Sequence, residues 1–168
     1  MATTTFNEET IHTIGDLPQV GTALPSFVLT GTDLTDVTNE SFIGRRIVLN
    51  IFPSVDTGVC AMSVRQFNQM AANWPNTTVI CASQDLPFAL GRFCGAEGIE
   101  NVVSASAFRS DFGQKFGVTM IDGPLRGLLA RCVVIADESG TVIYARITPS
   151  VTEEPDYDEA AAALASSG

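Results

Sequence analysis

Four cysteines and a single histidine are the residues of this chain whose side chains best suit nucleophilic, redox or metal chemistry. The cysteines stand at positions 60, 81, 94 and 132, and the histidine is His12. No two cysteines have the Cys-x-x-Cys spacing of a zinc knuckle or a dithiol redox motif, and one histidine excludes a multi-histidine metal site. We therefore expect thiol chemistry without a metal or other cofactor. Four cysteines allow three complete disulfide pairings, and their spacing does not select one.

Charge and hydropathy restrict the compartment and the partners. The 168 residues include 19 acidic and 9 basic side chains, a net charge of −10, which argues against nucleic acids and anionic membranes as partners. The N-terminal residues lack the basic and apolar segments of a signal peptide. The longest strongly apolar run, residues 132–136, is far shorter than the ~20 residues of a membrane helix. We expect a cytoplasmic protein, in which a disulfide is more often catalytic than structural.

The thiols must be positioned by an α/β arrangement of strands and helices. With 168 residues, of which 45% are apolar, the chain is expected to form one domain over residues 1–168, with an N-terminal β-hairpin in residues 1–15. Runs of apolar β-forming residues predict strands at 26–30, 46–52, 77–82, 101–104, 131–136 and 141–147. The order of strands and helices predicts a thioredoxin-like fold with a mixed central sheet.

Helical periodicity fills the intervals between these strands. Apolar residues spaced three and four apart predict a first helix that begins near Thr57 and extends to Trp74. A second helix is predicted over residues 86–94, with Asp85 as its N-cap and Gly95 as its stop. Two further helices are predicted at 111–116 and after Asp156.

Cys60 falls where a predicted strand gives way to a predicted helix. If Thr57 caps that helix, Cys60 lies in its first turn, where unpaired N–H groups and the helix dipole favour a thiolate. Cys60 also shares the inward-facing stripe of Val64 and Phe67, which predicts an enclosed thiol. The alternative is that Cys60 packs there as a small apolar residue. Its position in the sequence leaves both interpretations open.

A family resemblance distinguishes between these interpretations. Pro53, Thr57 and Cys60 match the Pro-x-x-x-Thr-x-x-Cys signature of peroxiredoxins, and residues 53–68 resemble the thiol peroxidase subfamily. The likeness extends to segments 85–89, 92–98, 122–125, 127–131 and 152–157, and so covers nearly the whole chain.

The resemblance implies the site residues and the reaction. It makes Cys60 the peroxidatic cysteine and Cys94 the resolving cysteine, with Thr57, Arg131 and Pro53 completing the site. It also implies an antioxidant enzyme that reduces hydrogen peroxide and organic hydroperoxides through a Cys60 sulfenic acid and a Cys60–Cys94 disulfide. Thioredoxin is the implied reductant, and a homodimer is the implied assembly. Cys132 departs from the family pattern, in which we expect a small apolar residue there.

The remaining candidate residues have structural interpretations. His12 lies in the predicted hairpin, so we expect no Cys–His dyad, and stabilisation of charge falls to Arg131, the Thr57 hydroxyl and helix amides. By sequence alone, Arg131 also fits a surface charge at a strand edge, and Arg65 fits a structural ion pair. Cys81 and Cys132 lie within strand-like runs and are predicted to be buried structural thiols.

The helix that carries Cys94 has an unusual number of glycines. Gly91 lies inside it, and Gly95 and Gly98 follow Cys94. An internal glycine costs a helix about 1 kcal/mol relative to alanine, so we expect this segment to open easily and let Cys94 move towards Cys60.

Two other classes of function would use the same fold: a redox relay that passes the oxidation of Cys60 to a partner, and a binding module without thiol chemistry.

Overall fold

A computed structural model describes residues 1–167 of the chain and consists of a mixed sheet flanked by helices. The strands are β1 (Thr3–Phe6), β2 (Glu9–His12), β3 (Val28–Gly31), β4 (Asp36–Thr38), β5 (Arg46–Ile51), β6 (Thr77–Ser83), β7 (Val103–Ser106), β8 (Cys132–Ala136) and β9 (Val142–Ile147). The helices are α1 (Gly58–Ala71), α2 (Pro87–Glu97), α3 (Phe112–Lys115) and α4 (Tyr157–Ser167), and a 3₁₀ turn covers Asn39–Phe42.

Seven of the strands form one sheet, in the order β4-β3-β7-β6-β5-β8-β9. Strands β5, β6 and β7 are parallel and are connected by α1 and α2, whereas β3, β4, β8 and β9 pair antiparallel with their neighbours. The mixed thioredoxin-like sheet predicted from the sequence is therefore confirmed. Strands β1 and β2 form the separate N-terminal hairpin, as expected.

The central strands are buried on both faces because their sequences are apolar at nearly every position. All residues of β5 and of β8 are buried, as is typical of strands covered on both sides. On one face, a core formed with α1, α2 and α4 includes Val48, Cys60, Phe67 and Leu90. The opposite core contains the side chains of alternate positions, such as Leu49, with the hairpin and α3 packed beside it.

The ends of α2 differ from the prediction. The prediction that Asp85 is the N-cap is wrong, because Leu86 occupies that position. Pro87 begins the helix, where its missing N–H costs nothing because the first N–H groups of a helix have no partner within it. Gly95 does not end the helix either. Gly98 adopts the left-handed conformation with φ of 66° and bonds its N–H to the Cys94 carbonyl, a cap that glycine adopts without strain.

No helix within residues 1–167 is both long enough and apolar enough to cross a membrane. The short strand β4 and the 3₁₀ turn after it were not predicted, because their few residues carry no clear periodicity.

Candidate active site

Cys60 lies in the first turn of α1, directly after the loop that follows the buried strand β5. Its side chain is fully buried and packs in the same core as Val64 and Phe67. The prediction of an inward-facing, enclosed thiol is therefore confirmed. The unpaired N–H groups of the first turn of α1 place a partial positive charge close to this thiol.

Arg131 supplies a full positive charge beside Cys60. Arg131 is only 1% exposed, and its Nη2 donates a hydrogen bond to Cys60 Sγ over 3.1 Å. Nε donates to the carbonyl oxygen of Val151 over 2.9 Å, which fixes the orientation of the guanidinium. Nη1 is buried and has no hydrogen-bond partner among residues 1–167. The interpretation of Arg131 as a surface charge is therefore wrong.

The pairing of β8 with β5 explains how Arg131 reaches a residue so distant in sequence. These strands run antiparallel, with Cys132 opposite Ile51. Arg131 therefore lies beside the end of β5, at the point where the chain enters the loop to Cys60. The sequence does not reveal this pairing, because the residues of an apolar strand do not specify its partner strand or its register.

Thr57 occupies the N-cap position of α1, as predicted, but its side chain does not cap the helix. Its backbone is extended, with φ of −100° and ψ of 145°. The hydroxyl donates instead to the carbonyl oxygen of Ser54 over 3.1 Å. Since the hydroxyl donates backwards into the loop, its lone pairs remain available to accept a hydrogen bond at the mouth of the site.

A cavity of about 170 Å³ opens beside these residues and brings three predicted site residues together: Pro53, Thr57 and Arg131. The rest of its wall is mainly apolar and includes Phe6, Val59, Leu125, Leu128 and Val151. The cavity is small, apolar and contains one buried cation, which suits a small ligand with one polar end and one apolar end.

Cys94 lies apart from this cluster. It is half-buried near the end of α2, and its Sγ is 3.1 Å from the Ser104 hydroxyl of β7. It borders a separate cavity of about 300 Å³ that is lined by residues of β3, β4 and β7, among them Val37 and Val103. All four cysteines are free thiols, so the structure does not join Cys60 to Cys94.

The other two cysteines are buried in the central strands, as predicted. Cys81 is 1% exposed, and burial raises the pKa of its thiol to about 12. Burial also raises the pKa of the Cys132 thiol, an effect that the neighbouring charge of Arg131 only partly opposes. Both thiols are therefore kept protonated at neutral pH. Residues 1–167 contain no cluster of histidine, cysteine and carboxylate side chains suited to a metal ion.

His12 pairs with Asp122 and not with Cys60. His12 Nδ1 is 2.6 Å from Asp122 Oδ2, and the His12 backbone N–H donates to Oδ1 over 2.9 Å. These contacts lower the pKa of the Asp122 carboxyl, the backbone hydrogen bond being the larger cause. They tie the hairpin to the loop that carries Leu125. The prediction that histidine would not activate Cys60 agrees with this geometry.

Sequence reasoning missed the residues that hold the loop before Cys60. Asp85 accepts hydrogen bonds from Ser54 and Val55 of that loop. Separately, Arg65 on α1 forms a two-pronged ion pair with Glu97 on α2. The ion pair of Arg65 was expected, but its partner was not. The sequence signals for Asp85 were its N-cap position before α2 and its place in a family-like segment, and neither indicated contacts with the loop before Cys60.

Comparison with known proteins gives consistent similarities over nearly the whole chain. Residues 19–161 match the family model described as Redoxin. The chain is 57% identical to a thiol peroxidase of Corynebacterium glutamicum, over 98% of this chain and 99% of that protein. It is 52% identical to a thiol peroxidase of Mycobacterium tuberculosis over the same shares.

Solved structures give the same picture. A peroxiredoxin-like protein from Aquifex aeolicus superposes with a TM-score of 0.93 at 35% identity, covering 98% of this chain and 96% of that one. A thiol peroxidase from Chromobacterium violaceum superposes with a TM-score of 0.90 at 26% identity, covering 98% and 95%.

Proposed function

This chain belongs to the redoxin family and, within it, to the thiol peroxidases, and on that premise we propose that Cys60 is its peroxidatic cysteine. The protein is a peroxidase, an oxidoreductase that acts on peroxides. The observation that carries the residue assignment is the hydrogen bond from Arg131 Nη2 to Cys60 Sγ. A buried guanidinium that donates to a buried sulfur stabilises the thiolate, which is the nucleophilic form.

The first step is attack of the Cys60 thiolate on the terminal oxygen of a hydroperoxide. A sulfur–oxygen bond forms, the O–O bond breaks, and the leaving oxygen departs as water or an alcohol after taking up a proton. The products are the alcohol or water and a Cys60 sulfenic acid.

Two groups are placed to stabilise this step. Arg131 Nη1 is buried without a partner and can donate to the oxygens on which negative charge develops. The Thr57 hydroxyl lines the same cavity and can accept a hydrogen bond from the peroxide O–H. Arg131 is held by Val151 before the substrate arrives, so little reorganisation is needed during the reaction. Pro53 closes one wall of the cavity and supplies no N–H of its own.

The second step is attack of the Cys94 thiol on the Cys60 sulfenic acid. A disulfide forms between Cys60 and Cys94, and the sulfenic oxygen leaves as water. Cys94 must first leave Ser104, so at least the last turns of α2 must move. A dithiol reductant of the thioredoxin type then restores both thiols by disulfide exchange.

The lining of the cavity favours organic hydroperoxides beside hydrogen peroxide. Phe6, Leu125 and Leu128 offer apolar contacts that hydrogen peroxide cannot use. A hydroperoxide with an apolar group can place its O–O bond at Arg131 and its apolar group against these side chains.

Further features support the remaining expectations. The sheet carries a core on each face, as expected for a single domain. At the start of α2, Leu86 and Phe88 are 51% and 68% exposed, which supports a homodimer in which a second copy covers them. Free thiols persist in a reducing compartment, so the four free cysteines support an antioxidant role in the cytoplasm.

Mass spectrometry after peroxide treatment tests the assignment. One equivalent of peroxide is expected to convert the protein to a Cys60–Cys94 disulfide. Cys60→Ser is expected to abolish peroxide consumption, and Cys94→Ser to leave the first turnover intact and stop at the sulfenic acid. Cys81→Ala is the matched control, since Cys81 is buried and protonated.

Two results would contradict the proposal. A disulfide from Cys60 to Cys81 or Cys132 would overturn Cys94 as the resolving residue. Stoichiometric oxidation without turnover by a thioredoxin system would instead indicate a redox relay.

A further inference from the structure

Asp85 is a half-buried carboxylate at the junction between β6 and α2, where it joins the loop before Cys60 to the start of the helix that carries Cys94. Oδ1 accepts a hydrogen bond from the Ser54 hydroxyl over 2.7 Å. Oδ2 accepts from the Val55 N–H over 2.8 Å and from the Ser83 hydroxyl over 2.6 Å. The backbone carbonyl of Asp85 accepts from the Ser106 hydroxyl of β7.

Ser54 passes this restraint along the loop to Thr57. The Ser54 carbonyl accepts from the Thr57 N–H over 3.2 Å and from the Thr57 hydroxyl over 3.1 Å. The Ser54 hydroxyl accepts from the Asp56 N–H over 3.1 Å. Thr57 in turn accepts the first helical bond of α1, from the Ala61 N–H. A continuous set of hydrogen bonds therefore leads from Asp85 to the turn that contains Cys60.

We propose that Asp85 is a positioning residue for the reaction with peroxide, one that holds loop 53–57 in the shape that aims Thr57 and the first turn of α1 at the substrate. Hydrogen bonds to a carboxylate are about twice as strong as neutral ones. Two of them, from Ser54 and Val55, hold a loop that has no regular structure, and the third, from Ser83, anchors the carboxylate to the end of β6. Displacement of a catalytic group by about 1 Å can cost a rate factor of about 10². This inference rests on the proposed role of Cys60.

The geometry separates positioning from a direct effect of the negative charge. An asparagine at position 85 keeps one acceptor oxygen, which can still serve Val55 and Ser83. Its NH₂ group would then face the Ser54 hydroxyl, which can rotate and accept, because a hydroxyl both donates and accepts. All three contacts are thus retained in Asp85→Asn and lost in Asp85→Ala.

The test measures two rates for Cys60 in a Cys94→Ser background, so that the second step does not interfere. The first is the second-order rate constant of Cys60 oxidation by cumene hydroperoxide, and the second is the rate of Cys60 alkylation by iodoacetamide. Asp85→Ala is expected to lower the peroxide rate by about tenfold or more without lowering the alkylation rate, since alkylation needs the thiolate but not the aligned donors. Asp85→Asn is expected to recover the peroxide rate to within about threefold of the parent.

Asp137 provides the matched control. Its Oδ1 also accepts three bonds, from the N–H and hydroxyl of Ser139 and from the N–H of Thr141, but it lies in the turn between β8 and β9. Asp137→Ala removes a comparable set of bonds and is expected to leave both rates unchanged.

Three results would overturn the inference. In the first, Asp85→Ala reacts with peroxide as fast as its parent. In the second, both rates fall together. In the third, Asp85→Asn folds with an unchanged Tm but is as slow as Asp85→Ala, which would assign the effect to charge. Failure of the proposed function has a different signature: Cys60 of the parent would not be oxidised at all.

Discussion

The chain holds Cys60 and Cys94 in opposite ways. Cys60 is fully buried, contacts a buried guanidinium and begins a helix whose entry loop is fixed by Asp85. Cys94 is half-buried, contacts a neutral hydroxyl and lies near the end of a helix beside glycines. The first arrangement organises a reacting atom in place. The second arrangement holds the Cys94 thiol by contacts weak enough to break, as is required of a residue that must move to reach Cys60.

The largest effect is expected from removing the positive charge of Arg131 beside Cys60. Arg131→Met keeps the apolar volume but loses both donors that face the sulfur and the substrate. We expect the rate of Cys60 oxidation to fall by about 10²-fold or more, as when one oxyanion-stabilising donor is removed. Arg131→Lys is expected to recover only part of the rate, because an ammonium group lacks the planar fork of donors.

Rapid quenching followed by mass spectrometry measures that rate. Arg146→Met is the control, because Arg146 is exposed on the edge strand β9 and pairs with Glu159 of α4. Oxidation of the Arg131→Met protein at the parental rate would show that the guanidinium does not accelerate the reaction of Cys60. The charge would then not distinguish the Cys60 site from the Cys94 site.

A smaller effect, confined to Cys94, is expected from the glycines of α2. A Cβ atom at Gly95 would meet no atom within 4 Å, so Gly95→Ala should stabilise the helix by about 1 kcal/mol without a clash. If α2 must open before Cys94 reacts, disulfide formation should slow by up to about fivefold while oxidation of Cys60 stays unchanged.

Gly98→Ala should act in the opposite direction. Gly98 has φ of +66°, a conformation that costs alanine about 1–2 kcal/mol, so the end of α2 should open more easily and resolution should accelerate. Both rates can be followed by trapping the sulfenic acid with a dimedone probe at successive times. Equal rates of disulfide formation in the two variants would show that opening of α2 does not limit the step.

A still smaller effect is expected from the ion pair that joins the two helices. Arg65 Nη2 and Nε lie 2.7 and 3.1 Å from the Glu97 oxygens, and the pairing raises the pKa of Arg65 and lowers that of Glu97. Because the pair is partly exposed, it is screened by salt. We expect Arg65→Gln to accelerate disulfide formation by about two- to threefold at low ionic strength and to have little effect in 1 M salt.

Disulfide formation, followed again by trapping the sulfenic acid with the dimedone probe over a range of NaCl concentrations, checks this expectation. Arg146→Gln removes another exposed ion pair and should change neither the rate nor its dependence on salt. A rate that depends on salt equally in the Arg65→Gln protein and in its parent would remove the ion pair from the mechanism.

The smallest effect concerns pH and the wall of the peroxide cavity. The hydrogen bonds from His12 lower the pKa of Asp122 in the folded protein. A lowered pKa means that the ionised form stabilises the fold, so this contribution is complete above the unfolded pKa of about 4 and is lost as the pH falls through the folded value. Asp122→Asn should therefore flatten the dependence of Tm on pH below about pH 4.

Thermal unfolding between pH 2.5 and 6 is the measurement, with Asp36→Asn on the edge strand β4 as the control. The His12–Asp122 contact supports the hairpin, which contributes Phe6 to the cavity wall, and does not involve α2. Resolution by Cys94 should therefore be unaffected at neutral pH. A change in resolution without a change in oxidation would contradict the division between the two sites.

Local patterns along the chain were sufficient for most of the fold. The continuous apolar runs of β5 and β8 predicted buried central strands, and the spacing of Val64, Phe67 and Trp74 predicted α1, because burial periodicity is a property of consecutive residues. The position of Cys60 in the first turn followed from Thr57 in the same way. The family resemblance named Arg131 and Cys94, but it gave no contact for either.

The partners of those residues were decided by the tertiary structure. Arg131 and Cys60 are 71 residues apart and meet because β8 pairs antiparallel with β5 in a single register. Asp85 fits the sequence pattern of an N-cap, yet in the fold Leu86 takes that position and the Asp85 carboxylate accepts hydrogen bonds from the loop before Cys60. Strands and helices follow from short-range periodicity, whereas the contacts of a buried charge depend on which distant segments pack together, and that is settled only when the whole chain has folded.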